Sequence, residues 1–195
     1  FDYLRDECVK AGLPGCFIMG CQGGLRDATG AMSLERENIW TDLGEKLYLD
    51  GFDGITGYNY HRGKTTLSDG TVNYLLPFDD LAHDHEVVWE GHTKFGKLPY
   101  MPCLSGGWDN RPNEKPEKPE ADSCYSPDIT PISLSNPIMR CGEFQKKYAG
   151  KTLNDLAIIY AWNENGEGGF ICPTKGFHND GLLMACARAV RDLNS

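Results

Sequence analysis

Apolar residues recur along the chain in two alternating rhythms: a helical spacing of three and four, and short unbroken runs. Phe1, Leu4, Cys8 and Ala11 follow the helical spacing, and Gly12 stands where a helix C-terminus takes a left-handed residue. The run over 15–20 reads as a buried strand, followed by a loop that opens at Gln22. A second helix carries Ile39, Trp40, Leu43 and Leu47 on one face and closes at Gly51. A second strand follows over 52–58, then a polar stretch over 59–70. Leu81, His85, Val88, Trp89 and His92 form the stripe of a third helix, which makes Trp89 core, as Trp40 is on the second.

A third strand is predicted over 98–104, weakened by Pro99 and Pro102, which remove ladder donors. The loop over 108–131 is the longest, and its charged, proline-rich middle reads as a surface excursion. Asn136-Pro137 has the form of a helix start, with Ile138, Cys141, Phe144 and Tyr148 inward and Gly150 at the end. The run over 156–162 is the clearest strand. A last helix begins near Asp180, with Leu183, Cys186, Val190 and Leu193 inward.

One helix followed by four strand–helix pairs predicts parallel strands with helical crossovers. The strands are continuously apolar, as expected where both faces are covered. A doubly wound sheet and a (β/α) barrel both satisfy this pattern. No Gly-rich phosphate loop follows any strand, which disfavours dinucleotide binding. A barrel of eight units takes about 250 residues. Four units are half of one, and under the barrel reading the chain is a C-terminal half.

Charge narrows the choice of partner. The net charge is −9, and the basic residues are scattered, so no nucleic-acid partner is expected. The longest apolar run has seven residues, too short for membrane insertion. The chain begins at Phe1 rather than Met, which predicts a cut upstream and leaves export signals unreadable. The eight cysteines (Cys8, Cys16, Cys21, Cys103, Cys124, Cys141, Cys172 and Cys186) include no C-x-x-C pair. They read as buried thiols, with one or two disulfides as the alternative. His83 and His85 would face opposite sides of a helix, so no metal is expected there.

In parallel α/β proteins the chemistry collects at the C-terminal ends of strands. That rule selects Tyr58, Asn59, Tyr60 and His61 after the second strand, and Trp108, Asp109 and Asn110 after the third. After the fourth come Trp162, Asn163, Glu164 and Glu167. Two carboxylates beyond a buried strand suit acid/base cleavage of a glycosidic bond, one protonated and one ionised. Aromatic and amide neighbours suit a sugar, so Trp162, Asn163, Trp108, Asp109, Asn110, Tyr60 and His61 are candidate substrate contacts. A solvated turn would carry the same glutamates. Spacing alone does not decide between retention and inversion.

The stretch over 160–174, Tyr-Ala-Trp-Asn-Glu-Asn-Gly-Glu-Gly-Gly-Phe-Ile-Cys-Pro-Thr, resembles the strand-eight signature of the glycoside hydrolase family 99-like group, which includes WbsX-type proteins of polysaccharide gene clusters. Gly106-Gly-Trp-Asp-Asn-Arg-Pro112 resembles a segment these proteins carry after an earlier strand, and the stretch over 1–14 resembles the helix entering strand five. The resemblance implies one partial catalytic domain over 1–195, units five to eight of a (β/α)8 barrel acting on α-linked glycans, with endo-α-mannosidases as relatives. Those enzymes use the substrate's 2-hydroxyl as nucleophile through an epoxide-like intermediate. Glu164 then matches the base that deprotonates that hydroxyl, and Glu167 the acid that protonates the leaving oxygen. No cofactor is implied. The implied partners are an oligosaccharide or polysaccharide substrate and the N-terminal half-barrel. The implied setting is extracellular or the cell envelope.

The alternative is a WbsX-type role in polysaccharide biosynthesis, by glycosyl transfer or by glycan binding without hydrolysis. Asn165 and Gly166 replace the Trp and His of the endo-mannosidases, and Cys172 replaces a typical glutamate. The family's other active-site groups belong to the first four strands, so the chain alone is expected to be inactive.

Overall fold

A computed structural model describes residues 1–27, 30–62, 65–66, 69–113, 124–153 and 155–195. These residues form a mixed α/β fold with short parallel strand pairs and, among them, five α-helices. Helix α1 (Asp2–Lys10) leads to β1 (Met19–Cys21), α2 (Glu37–Leu49) to β2 (Gly54–Thr56), and an antiparallel hairpin of β3 (Thr65–Thr66) and β4 (Val72–Asn73) precedes α3 (Phe78–Phe95). Then come β5 (Cys103–Ser105), α4 (Pro131–Lys147) and β6 (Ile158–Tyr160). A second hairpin of β7 (Asn163–Glu164) and β8 (Gly169–Phe170) precedes α5 (Gly181–Leu193).

β1 pairs in parallel with β2, and β5 in parallel with β6. Tyr100 joins the two pairs. It bridges Ile55 on one side and Thr152 on the other, and the Ile55 amide donates to the Pro99 carbonyl at 2.9 Å. The four expected strands therefore lie side by side in chain order. They are shorter than their apolar runs: the third regular strand begins only at Cys103, beyond Pro99 and Pro102, where every residue can again donate to a ladder.

Helix ends follow the sequence signals in most places. At the end of α1 the Gly12 amide donates to Val9 and the Leu13 amide to Cys8. At the end of α2 the Gly51 and Phe52 amides repeat the pattern onto Tyr48 and Leu47. Both glycines have positive φ, as this double-bonded stop requires. Helix α4 corrects the expected start. It begins at Thr130-Pro131 rather than Asn136-Pro137, because Thr130 and Ser133 exchange side-chain-to-backbone hydrogen bonds in a capping box. Pro137 is buried inside the helix. Helix α5 is also rotated from expectation: Leu182, Ala185, Cys186 and Ala189 face inward, and Val190 is exposed.

The main core packs Ile55, Trp89, Leu104, Leu134, Ile138 and Phe144 between strands and helices. A smaller one gathers Met32, Trp40, Tyr60, Val88 and Cys103. Trp40 and Trp89 are buried, as their stripes predict. Asp84 is buried against Arg62, whose Nε and Nη2 donate to it at 2.7 and 2.8 Å, pinning the segment after β2 to α3. His83 is exposed while His85 is buried, and no metal-binding cluster occurs among the described residues. Among the described residues, no helix is long and apolar enough to cross a membrane. The middle of the expected long loop, 114–123, lies outside the described residues, as do 63–64 and 67–68 of the polar stretch after β2.

Candidate functional site

Because β2, β5 and β6 are parallel, the segments that follow them open at one end of the sheet. Tyr58 to His61 follow β2, Gly106 to Asp109 follow β5, and Tyr160 ends β6 with Trp162 to Glu167 beyond it. The three segments are linked. The Asp109 amide donates to the Glu167 carbonyl at 2.7 Å, and the Tyr160 hydroxyl donates to the Glu167 carboxylate. The ring of Tyr58 meets Tyr160 edge-on at 4.7 Å, and His61 stacks flat on Trp108 at 4.1 Å.

Glu164 closes the β7–β8 hairpin side of this cluster, and Glu167 ends the short 3-10 turn that follows. Glu164 is exposed and Glu167 half-buried. Tyr160 is held from below: a Cβ on Gly169 would lie 2.3 Å from its ring, so β8 can pass beneath the phenol only as glycine. Burial, and then the hydrogen bond to Glu167, push the Tyr160 hydroxyl well above its usual range. It is therefore a fixed proton donor to that carboxylate at any working pH.

His61 is driven the other way. Burial and then the positive charge of Arg26 lower its pKa, against the opposing pull of Glu167, so the imidazole is neutral near pH 7. Its Nδ1 and the Asn59 Nδ2 are both buried without a hydrogen-bond partner. Partial burial opposes ionisation of Asp109, but hydrogen bonds from Arg111 outweigh it and hold the carboxyl below its usual range.

The structure thus brings together Glu167, Asp109 and His61 around Tyr160 and Trp108; the charge of Glu164 reaches the Tyr160 hydroxyl, and Trp162, Asn163 and Glu164 are exposed on the segment after β6. Asn110 is half-buried nearby, and its side-chain oxygen accepts from Asn113. Two expected contacts are placed differently. Tyr60 points into the core, where its hydroxyl meets that of Tyr100 at 2.9 Å, so it presents no surface to a ligand. Trp108 is 7% exposed with one face against His61, which makes it a wall behind the site rather than a stacking platform.

Exposed aromatic surface is supplied by Trp162 and by Tyr58, at 54% and 60% exposure. Tyr160 is a site residue that the strand-end rule does not select, since it lies within the fourth strand. Its signal was a phenol, which needs a hydrogen-bond partner when buried, at the end of an otherwise aliphatic strand.

A separate apolar groove lies between α4, α5 and β6, lined by Leu104, Ile138, Cys141, Ile159, Val190 and Leu193, and it shares no residue with this cluster. Comparison of the chain with protein-family models, curated proteins and solved structures returned no match.

Proposed function

We propose that the chain forms units five to eight of a (β/α)8 barrel of the glycoside hydrolase family 99-like, WbsX-type group, and that its strand-end cluster cleaves α-linked glycans. The observation that carries this reading is the hydrogen bond between Glu167 and the Tyr160 hydroxyl beyond the C-terminal ends of strands lying in chain order, with Glu164 on the adjoining β7. Side-by-side placement in chain order is what a barrel requires, and a doubly wound sheet reverses it.

In this reading Glu164 takes the proton of the sugar's 2-hydroxyl, whose oxygen displaces the glycosidic bond, and Glu167 gives its proton to the leaving oxygen. Tyr160 holds the Glu167 carboxyl in place by its donated hydrogen bond. Tyr58 and Trp162, both more than half exposed, supply the aromatic surface that sugar rings stack on. The remaining four units are supplied by the N-terminal half-barrel.

The test is Glu167→Gln in the complete barrel. Loss of α-glycan cleavage by at least about 10²-fold, with circular dichroism unchanged, is the expected result. Undiminished turnover overturns the assignment. Product formation that needs a nucleotide sugar would indicate transfer, and glycan binding without product would indicate a lectin-like role.

A further inference from the structure

We propose that the glycan taken by this site is acidic and that Arg26 receives the carboxylate of a uronic acid residue, an inference that rests on the glycan reading above. Arg26 lies on the segment that follows β1, at the same end of the sheet as the segments already described. Its backbone is held from several sides. Arg26 bridges Met32 in antiparallel fashion, the Ser33 amide donates to the Leu25 carbonyl at 2.9 Å, and the Asp27 amide donates to the Ala31 carbonyl at 2.8 Å. The Arg36 guanidinium donates to the Arg26 carbonyl at 2.7 Å. The Met32 amide donates at 3.2 Å to Asp84, the buried carboxylate that also holds Arg62. One carboxylate on α3 therefore anchors both the segment carrying Arg26 and the segment carrying His61.

From that anchor the exposed Arg26 side chain reaches across to the site. Its Nη2 donates to the His61 carbonyl, and the His61 ring stacks on Trp108 at 4.1 Å. The next residue, Asp109, donates its amide to the Glu167 carbonyl at 2.7 Å. Each link in that path is a bond or a direct contact. The positive charge of Arg26 is also felt at the His61 ring.

The arginines at this end of the sheet differ in how they are matched. Arg62 is held by Asp84 and Arg111 by Asp109. Arg26 makes no ion pair among the described residues, and its side chain is tethered to a carbonyl alone. Asp27, Ser33, Glu35 and Arg36 line the concavity beside it, and the Asp27 carboxylate turns back to accept the Ala31 amide. A guanidinium keeps its charge at any working pH and presents its N–H donors as a flat fork, which fits a carboxylate through two parallel bonds. One carbonyl occupies only part of that fork. On a chain of net charge −9, with Glu167 at the site, an anionic sugar needs such a local cation to be held.

The experiment titrates the complete barrel and its Glu167→Gln variant by calorimetry with α-linked oligogalacturonate and oligoguluronate, each against its carboxyl-reduced counterpart. The expected result is binding of the acidic member of at least one pair tighter by about tenfold or more. Arg26→Gln brings that member down to its neutral counterpart, and Arg26→Lys restores part of the preference, with circular dichroism unchanged in both. Equal affinities within both pairs, or a preference that survives Arg26→Gln, overturn the proposal. A preference for sulfated over desulfated α-linked oligofucose, with none in either uronate pair, also overturns it and reassigns the anion. Turnover separates this inference from the reading beneath it. Preferential binding with no member cleaved keeps the role of Arg26 and overturns hydrolysis. Cleavage of the neutral members without preference keeps hydrolysis and overturns the acidic substrate, and no binding of any probe overturns both.

Discussion

His85 and His92 lie two turns apart on α3, and burial depresses both to a pKa of about 4. His85 is well supported, with its Nδ1 2.8 Å from the Cys103 carbonyl and its Nε2 accepting the Tyr60 amide at 3.3 Å. His92 lies between Trp40 and Tyr100 with neither ring nitrogen in a hydrogen bond, although the Gly23 backbone offsets part of its burial. In the unfolded chain both titrate near 6.5, so on acidification the unfolded state binds protons first. Stability therefore falls from pH 6.5 towards 4 and the loss levels off below that, by about 3 kcal/mol per histidine. Urea unfolding between pH 7.5 and 4.5 should show this slope, and His92→Phe should roughly halve it, leaving the His85 part, while costing little at pH 7.5. An unchanged slope in that variant would contradict the reading. Their inward position was legible from the apolar stripe. What the stripe could not give was which partners each ring finds, since those come from strands far away in sequence.

At the scale of elements, α4 shows how local signals compete. Thr130-Pro131 and Asn136-Pro137 both have the form of a cap followed by proline, and the capping box with Ser133 decides for the first. Thr130→Ala should cost about 1 kcal/mol of stability, whereas Asn136→Ala should leave the denaturation midpoint nearly unchanged. Equal effects would mean that the helix starts elsewhere. A contact outside the helices also contributes: the Asp128 carboxylate accepts the Phe78 amide at 2.9 Å and so caps α3 from the approach to α4. Helix existence and type were readable because each helix keeps a stripe. The two hairpins were not, since β3–β4 and β7–β8 are two-residue pairings with no alternating pattern to announce them. The β7–β8 pairing matters most for the site, because it sets Glu164 at the entry to a tight turn and Glu167 as the last residue within it. The glutamates were visible in sequence, but the bond between Glu167 and Tyr160 depends on that turn.

Over the whole molecule, exposed apolar side chains are found at both outer strands among other places. Among the described residues β1 pairs only with β2, and Phe17 before it is exposed. β6 pairs only with β5, and Leu156 and Ile158 are exposed along it. Exposed strand edges of this kind recruit other strands. The 195-residue chain alone should therefore self-associate in sedimentation experiments, and Ile158→Lys should shift it towards monomer. A chain that is already monomeric at high concentration would speak against an open edge. The strand order has a consequence for synthesis as well. Each parallel strand docks beside the one translated just before it, so its partner is already made when it leaves the ribosome. Assembly can then proceed vectorially, each new strand–helix unit using the last strand as its template, and no early segment has to wait for a distant late one.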